Sequence, residues 1–114
     1  MTNPIDEMEA VEIGIEQAKV LTSNRECLEK LTKNSNFKKL IIENYFEKEA
    51  SRLVLLKADA SMQDAVSQAD IMRQIDAIGT FRQYLSTIMQ MGRMAQASIA
   101  ADEETLEELR NESE

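Results

Sequence analysis

The sequence has no histidine and no tryptophan, and it contains one cysteine, one proline and three glycines. Because histidine is the commonest general base and a frequent metal ligand, its absence excludes most catalytic triads and most zinc sites. The glycine-rich phosphate loop, the calcium-loop spacing and the di-metal helix motif are missing as well. We therefore expect a protein without enzymatic activity, with no catalytic residue, no cofactor and no bound metal.

Long hydrophobic runs are also missing. No stretch approaches the roughly 20 apolar residues that a membrane-spanning helix requires. The N-terminus does not show the basic segment followed by an apolar one that is typical of a secretion signal. We therefore expect no membrane segment.

Two features leave a chemical interpretation open. Cys27, the only cysteine, excludes an internal disulfide and fits a reducing compartment. Since no activating base is evident, we expect it to be a small core or half-buried residue rather than a nucleophile.

Two pairs of glutamates near the C-terminus have the four-residue spacing of a solvated acidic helix face: Glu103 with Glu107, and Glu104 with Glu108. The alternative for these acids is a weak divalent-ion site that keeps mostly water ligands.

Negative charge is concentrated at the two ends of the chain, within a total of -8. Residues 1–16 hold five acids and no base, and residues 102–114 hold seven acids against Arg110 alone. Residues 17–101 therefore hold nine acids and twelve bases, which is a net charge of +3. Because phosphate backbones are bound by clustered Lys and Arg, this distribution favours protein partners over nucleic acid.

The residues that are abundant are good helix formers, chiefly Ala, Glu, Gln, Met, Leu and Lys. At 114 residues the chain has the size of one domain with one modest core. We predict an all-α fold: a helical hairpin or three-helix arrangement with one long C-terminal helix and coiled-coil-like packing. The predicted parts are an acidic N-terminal arm (1–14), a helical domain (15–101) and an acidic C-terminal end (102–114).

Apolar spacing and polar clusters place three helices, at about 15–33, 37–57 and 65–109. Alternation from Val11 to Ile15 is typical of an extended arm before the first helix. Thr22 to Asn24 leave open a break and restart within that helix, because Ser23 and Glu26 have capping-box spacing. The second helix, which we call helix two, has apolar residues on almost every side when projected at 100° per residue. Such a helix is expected to be covered on more than one side.

The long C-terminal helix carries a heptad pattern, which predicts that another helix packs along it. The pattern places the following residues in one position: Ile71, Ile78, Leu85, Gly92, Ile99 and Leu106, with Phe81, Ile88, Ala95 and Leu109 three residues after four of them. The first half of the helix is within reach of helix two, whereas its second half requires helix one or a second chain. Met91 and Met94, beside Gly92, fall off the main pattern and suggest a soft binding surface, although methionines more often fill core gaps. We therefore predict self-association. The predicted interface residues are Ile71, Ile78, Leu85, Met91, Gly92, Met94, Ile99, Leu106 and Leu109.

Two stretches carry a resemblance to a known group of proteins. They contain Asn34, Phe37, Leu40, Tyr45, Phe46, Ala50, Arg52, Leu53 and Leu56, and then Gln74, Ile78, Gly79, Phe81, Arg82, Tyr84 and Leu85. The pattern resembles small acidic helical proteins encoded by tailed bacteriophages. That group has no established activity, so the resemblance implies a phage setting and assigns no functional residue. It also implies location in the host cytoplasm or the virion.

Three functions follow as hypotheses. The first is a non-enzymatic assembly or interaction protein, a virion component or assembly accessory of a tailed phage. The second is a small host-directed regulator or anti-defence protein whose acidic surfaces bind a basic partner. The third and weakest is nucleic-acid binding through the bases of helix two, which would require affinity that falls steeply with salt.

Overall fold

The computed structural model describes residues 3–113, and these residues are almost entirely helical, with no strand among them. The predicted all-α fold with a long C-terminal helix is confirmed, and that helix packs against the first one. The elements are α1 (Pro4–Lys33), a helix formed by α2 (Ser35–Phe37), a π-helix (Lys38–Glu49) and α3 (Ala50–Ala58), a 3-10 turn (Ala60–Met62), and α4 (Ala65–Ser113).

Helix α1 begins at Pro4, so the predicted extended arm is wrong for residues 4–14. The side chain of Asn3 accepts a hydrogen bond from the amide of Ile5 at 3.0 Å, which satisfies a free donor at the helix start. Proline suits the first helical position because its missing N–H is not needed there. Asp6 and Glu7 then lie in the first turn, where negative charge is stabilising. Residues 1 and 2 of the predicted arm lie outside the described residues.

Helix α1 also continues through Thr22 to Asn24 without the break that the sequence left open. The hydroxyl of Thr22 donates to the carbonyl oxygen of Lys19 at 2.9 Å, one turn earlier. This local bond occupies the polar group within the helix, so its presence does not interrupt the backbone hydrogen bonds.

Helix two begins at the polar cluster of residues 34–36, as the sequence predicts. The side chain of Asn34 accepts from the amides of Asn36 and Phe37, each at 3.0 Å.

The first half of helix two is a π-helix from Lys38 to Glu49, which the sequence did not indicate. Hydrogen bonds in a π-helix run from i to i+5, so the α-helical projection assigns the wrong faces to residues in this half.

The turn between helix two and α4 is held by side chains rather than by glycine. Asp59 accepts from the amide and the hydroxyl of Ser61, and Asp64 caps α4 by accepting from the amide of Ser67 at 2.9 Å. These hydrogen bonds hold the pKa of both carboxyl groups below the ordinary value. Gln68 donates to two carbonyl oxygens of the preceding turn, those of Lys57 and Met62. The interval between the predicted helices 37–57 and 65–109 is therefore a turn.

The chain divides into two compact units: a terminal unit, Met1–Leu28 with Thr87–Glu114, and a central unit, Glu29–Ser86. In the central unit, Leu53 of α3 packs with Ile71 and Ile78 of α4 to form the core. The rings of Tyr45 and Phe46 each lie within about 6 Å of Phe81, the Phe46–Phe81 centroids being 5.6 Å apart. The predicted hairpin of helix two with the first half of α4 is this unit.

In the terminal unit, α1 and the second half of α4 run antiparallel. Gln96 accepts a hydrogen bond from the guanidinium of Arg25 at 3.2 Å, whereas Arg110, a further 14 positions along α4, lies 3.9 Å from Glu12. Between these points a Cβ built on Gly14 would lie 3.7 Å from Oδ2 of Asp102. The helix is uninterrupted to Ser113, so no structural boundary separates the predicted acidic end from the rest of α4. Glu114 lies outside the described residues.

Candidate functional site

Five of the nine predicted interface residues are buried within the chain's own two units. Ile71 and Ile78 belong to the core of the central unit, where they contact Leu53. In the terminal unit the buried members of the predicted set are Gly92, Leu106 and Leu109. The second half of α4 thus has helix one as its partner, which was one of the two alternatives that the heptad pattern left open.

The other four predicted interface residues are accessible to different degrees. Leu85 and Ile99 are half-buried, whereas Met91 and Met94 are 40% and 60% exposed. The two methionines therefore do not fill core gaps in this chain. That the nine residues contact a second chain stays a prediction, and Met91 and Met94 are the members whose side chains are most available for it.

A groove of about 540 Å³ opens on the terminal unit between α1 and α4. Two buried apolar residues, Ile15 and Leu106, line it, and charged side chains form its rim. Acidic groups outnumber basic ones two to one around that rim. The acids are Glu12, Glu16, Glu103 and Glu107, and the bases are Lys19 and Arg110.

The glutamates that the two helices supply to the groove differ in whether they form ion pairs. On α1, Glu16 forms an ion pair with Lys19 at 3.2 Å, and Glu12 lies 3.9 Å from Arg110. On α4, Glu103 and Glu107 are exposed and form no ion pair within residues 3–113. These two carboxylates are thus available to a basic ligand at the edge of an apolar floor.

The groove belongs to a unit with a strong excess of acids over bases, whereas acids and bases nearly balance in the central unit. The described residues of the terminal unit, 3–28 and 87–113, contain twelve acids and four bases, whereas residues 29–86 contain eight acids and nine bases. Sequence reasoning located both acidic ends but treated them as separate tails. The Asn3–Pro4 cap was the signal that extends α1 backward and brings the first acidic end against the second.

Comparison with protein-family models, with curated proteins and with solved structures gave no match to this chain. Among the described residues, no helix combines the length and apolar character needed to cross a membrane. No group of three or more Cys, Asp or Glu side chains within residues 3–113 is arranged to hold a metal ion. The candidate site is therefore defined by its geometry and charge alone.

The outer side of helix two is the second accessible surface. Leu40, Val54 and Leu55 are exposed, with Leu55 reaching 73%. The prediction that this helix is covered on more than one side is wrong for these residues in the single chain. Its buried side chain is Leu53, so one face packs and the opposite face of α3 remains open.

Two further features, a second groove and Cys27, are weaker candidates for a functional site. A groove of about 570 Å³ on the central unit is lined by Lys38, Lys48, Glu43 and Glu47 with Thr32 and Ile42, so its charges balance. Cys27 is exposed, which corrects the expectation of a core or half-buried thiol. The buried side of α1 nearby is marked by Ala18 and Leu28, and Cys27 lies outside it, where the helix faces solvent.

The concentration of acids in the terminal unit has a measurable effect on stability. The unit's twelve acids repel one another, because only four bases offset them. Salt weakens this repulsion, since the Debye length for exposed charges is about 10 Å at 0.1 M. We expect the thermal midpoint to rise as sodium chloride is increased from low to moderate concentration, measured by circular dichroism. The exposed ion pairs contribute too little to reverse this trend. A midpoint that falls with salt would show that attractive pairs outweigh the repulsion.

Proposed function

We propose that this chain is a non-enzymatic interaction protein that binds other proteins through helix surfaces, in the setting of tailed-phage assembly or virion structure. The observation that supports the proposal is the groove of the terminal unit, which combines an apolar floor with two exposed carboxylates, Glu103 and Glu107, that form no ion pair within residues 3–113. Helix-in-groove recognition uses this combination: apolar contacts give affinity, and charge selects the partner and its orientation.

The phage setting rests on the resemblance of residues 34–56 and 74–85 to small acidic helical phage proteins. A protein of this kind meets its partners in the host cytoplasm, and it then stays with them as a virion component or leaves as an assembly accessory. The adaptable side chains of Met91 and Met94 suit contacts with surfaces that are not closely complementary.

The second candidate is a host-directed regulator that binds a basic protein surface. The convergence of both acidic ends in one unit favours it, because twelve acids on two adjacent helices present a larger negative surface than either end alone. Nucleic-acid binding stays the weakest candidate. The bases of helix two alternate with acids, and Arg52 is paired with Glu49 at 3.0 Å.

Quantitative mass spectrometry of purified particles and of infected cells separates the candidates. The assembly function predicts the chain in particles at a fixed ratio to other structural proteins, or bound to them before particles are complete. The regulator function predicts absence from particles, early expression and a cross-linked basic host protein. Absence from particles together with no protein cross-linked at any stage would contradict both.

A further inference from the structure

The open face of α3 has the spacing of a helix that docks into a groove. Ser51, Val54, Leu55 and Ala58 follow the i, i+3, i+4, i+7 pattern of anchor positions, and all four are exposed. Leu53, on the opposite side, is buried in the core of the central unit. The packing of Leu53 therefore holds α3 in position, while this face of the helix stays exposed.

The charges beside this face are basic. Arg52 and Lys57 lie on either side of it and are both exposed. Helix two as a whole carries five bases and three acids, and the ion pair between Arg52 and Glu49 leaves four bases and two acids. An apolar strip flanked by bases is complementary to an apolar floor flanked by acids.

The groove of the terminal unit also matches this face in length. It extends along α1 from Glu12 to Lys19 and along α4 from Glu103 to Arg110. The face extends from Ser51 to Ala58. Each of these stretches covers seven residue steps, which is about 10 Å at 1.5 Å per residue.

We propose that the groove of the terminal unit binds the open face of α3 from a second copy of this chain. The proposal rests on the proposed function, because it names one partner for the same groove. Val54 and Leu55 would lie over Ile15 and Leu106, while Lys57 approaches Glu103 and Glu107. Arg52 reaches the same carboxylates by exchanging its exposed ion pair with Glu49. The two surfaces differ, so the contact is heterologous, and repetition builds a ring or an open chain of copies.

The test uses two variants of the full chain, each of which removes one surface. The face variant is Leu55→Glu, and the groove variant is Glu103→Lys with Glu107→Lys. Sedimentation velocity at low ionic strength, across a concentration series, is expected to show association for the native chain and single chains for each variant alone. An equimolar mixture of the two variants keeps one intact pair of surfaces, so its mass is expected to double and to go no further.

Matched controls isolate the two surfaces. Glu104→Lys with Glu108→Lys changes the net charge equally on the same helix, but neither residue lines the groove. Val66→Glu replaces another exposed apolar residue of the central unit, outside the open face. Both controls are expected to associate like the native chain. Circular dichroism melts check folding, and Val54→Glu or Glu103→Gln with Glu107→Gln replaces any variant that does not melt cooperatively.

Three outcomes would overturn the proposal: a native chain that stays single at every concentration, a mixture that does not double in mass, or controls that lose association as fully as the variants. A native chain that stays single but still cross-links to another protein through the groove would refute self-docking alone. The proposed function would then stand with a different partner.

Discussion

Replacing Leu53 with alanine is expected to lower the free energy of unfolding by about 2 to 5 kcal/mol, the range for a buried leucine whose removal leaves a cavity. Leu53 is 1% exposed, and it contacts both Ile71 and Ile78 in the core of the central unit. Six half-buried apolar side chains pack around this core, and the extent to which they relax into the cavity sets the position within that range. Urea unfolding followed by circular dichroism measures the change.

Leu55→Ala is the matched control, because it removes the same atoms two residues later in the same helix. Leu55 is 73% exposed, and substitution there is expected to change stability by no more than about 0.5 kcal/mol. Comparable losses at the two positions would place the open face of α3 inside a core and contradict the fold of the central unit.

Gly92→Ala is expected to destabilise the terminal unit, although alanine favours helix by about 1 kcal/mol over glycine. A Cβ at this position would lie 2.7 Å from Cδ of Arg25 and nearer still to its Cβ, which is fixed to the backbone of α1. The helices must therefore separate. Overpacking costs about 1 to 3 kcal/mol, so the net loss is expected to reach about 2 kcal/mol, measured by denaturant unfolding.

Gly79→Ala is the control on the same helix, and it is expected to have the opposite sign. No atom lies within 4 Å of a Cβ built on Gly79, so the substitution is expected to stabilise the chain by about 1 kcal/mol. Gly79 is exposed and no other helix approaches it as α1 approaches Gly92. Stabilisation at both positions would contradict the contact between Gly92 and Arg25.

The helix boundaries could be predicted wherever local chemistry sets them. Asn34 caps helix two and Asp64 caps α4, and both signals are short-range hydrogen bonds visible in the sequence. The start of α1 carries the same kind of signal at Asn3 and Pro4, whereas the alternation from Val11 to Ile15 favours an extended arm. The π-helix had no such signal, because its hydrogen-bond register depends on packing rather than on composition.

The heptad pattern predicted burial well near Leu53 and less well further along α4. Ile71 and Ile78 are buried, but Leu85 is only half-buried. Ile99 is half-buried as well, whereas Gly92 and Leu106 of the same repeat are buried. Ala95 and Leu109, which the pattern places three residues after these two, are also buried. The pattern therefore follows the buried side of α4 into the terminal unit, although a straight α-helix drifts by about 20° per heptad against a strict seven-residue repeat.

The candidate site was beyond sequence reasoning because it depends on which helices meet. Composition identified both acidic ends, and periodicity identified Leu106 as apolar. Neither shows that Ile15 and Leu106 line one groove, or that Glu103 faces it while Glu104 does not. A pattern defines the apolar side of a helix, whereas its partner follows from the whole chain.

Protein binding through the groove of the terminal unit is tested most directly by cross-linking mass spectrometry in the source cells. Three tagged chains are compared: native, Glu103→Lys with Glu107→Lys, and Glu104→Lys with Glu108→Lys. The native and 104/108 chains are expected to cross-link to the same partner, whether a second copy or another protein, and the 103/107 chain is expected to lose it. Equal retention by all three chains, or equal loss from both variants, would contradict a docking role for the groove.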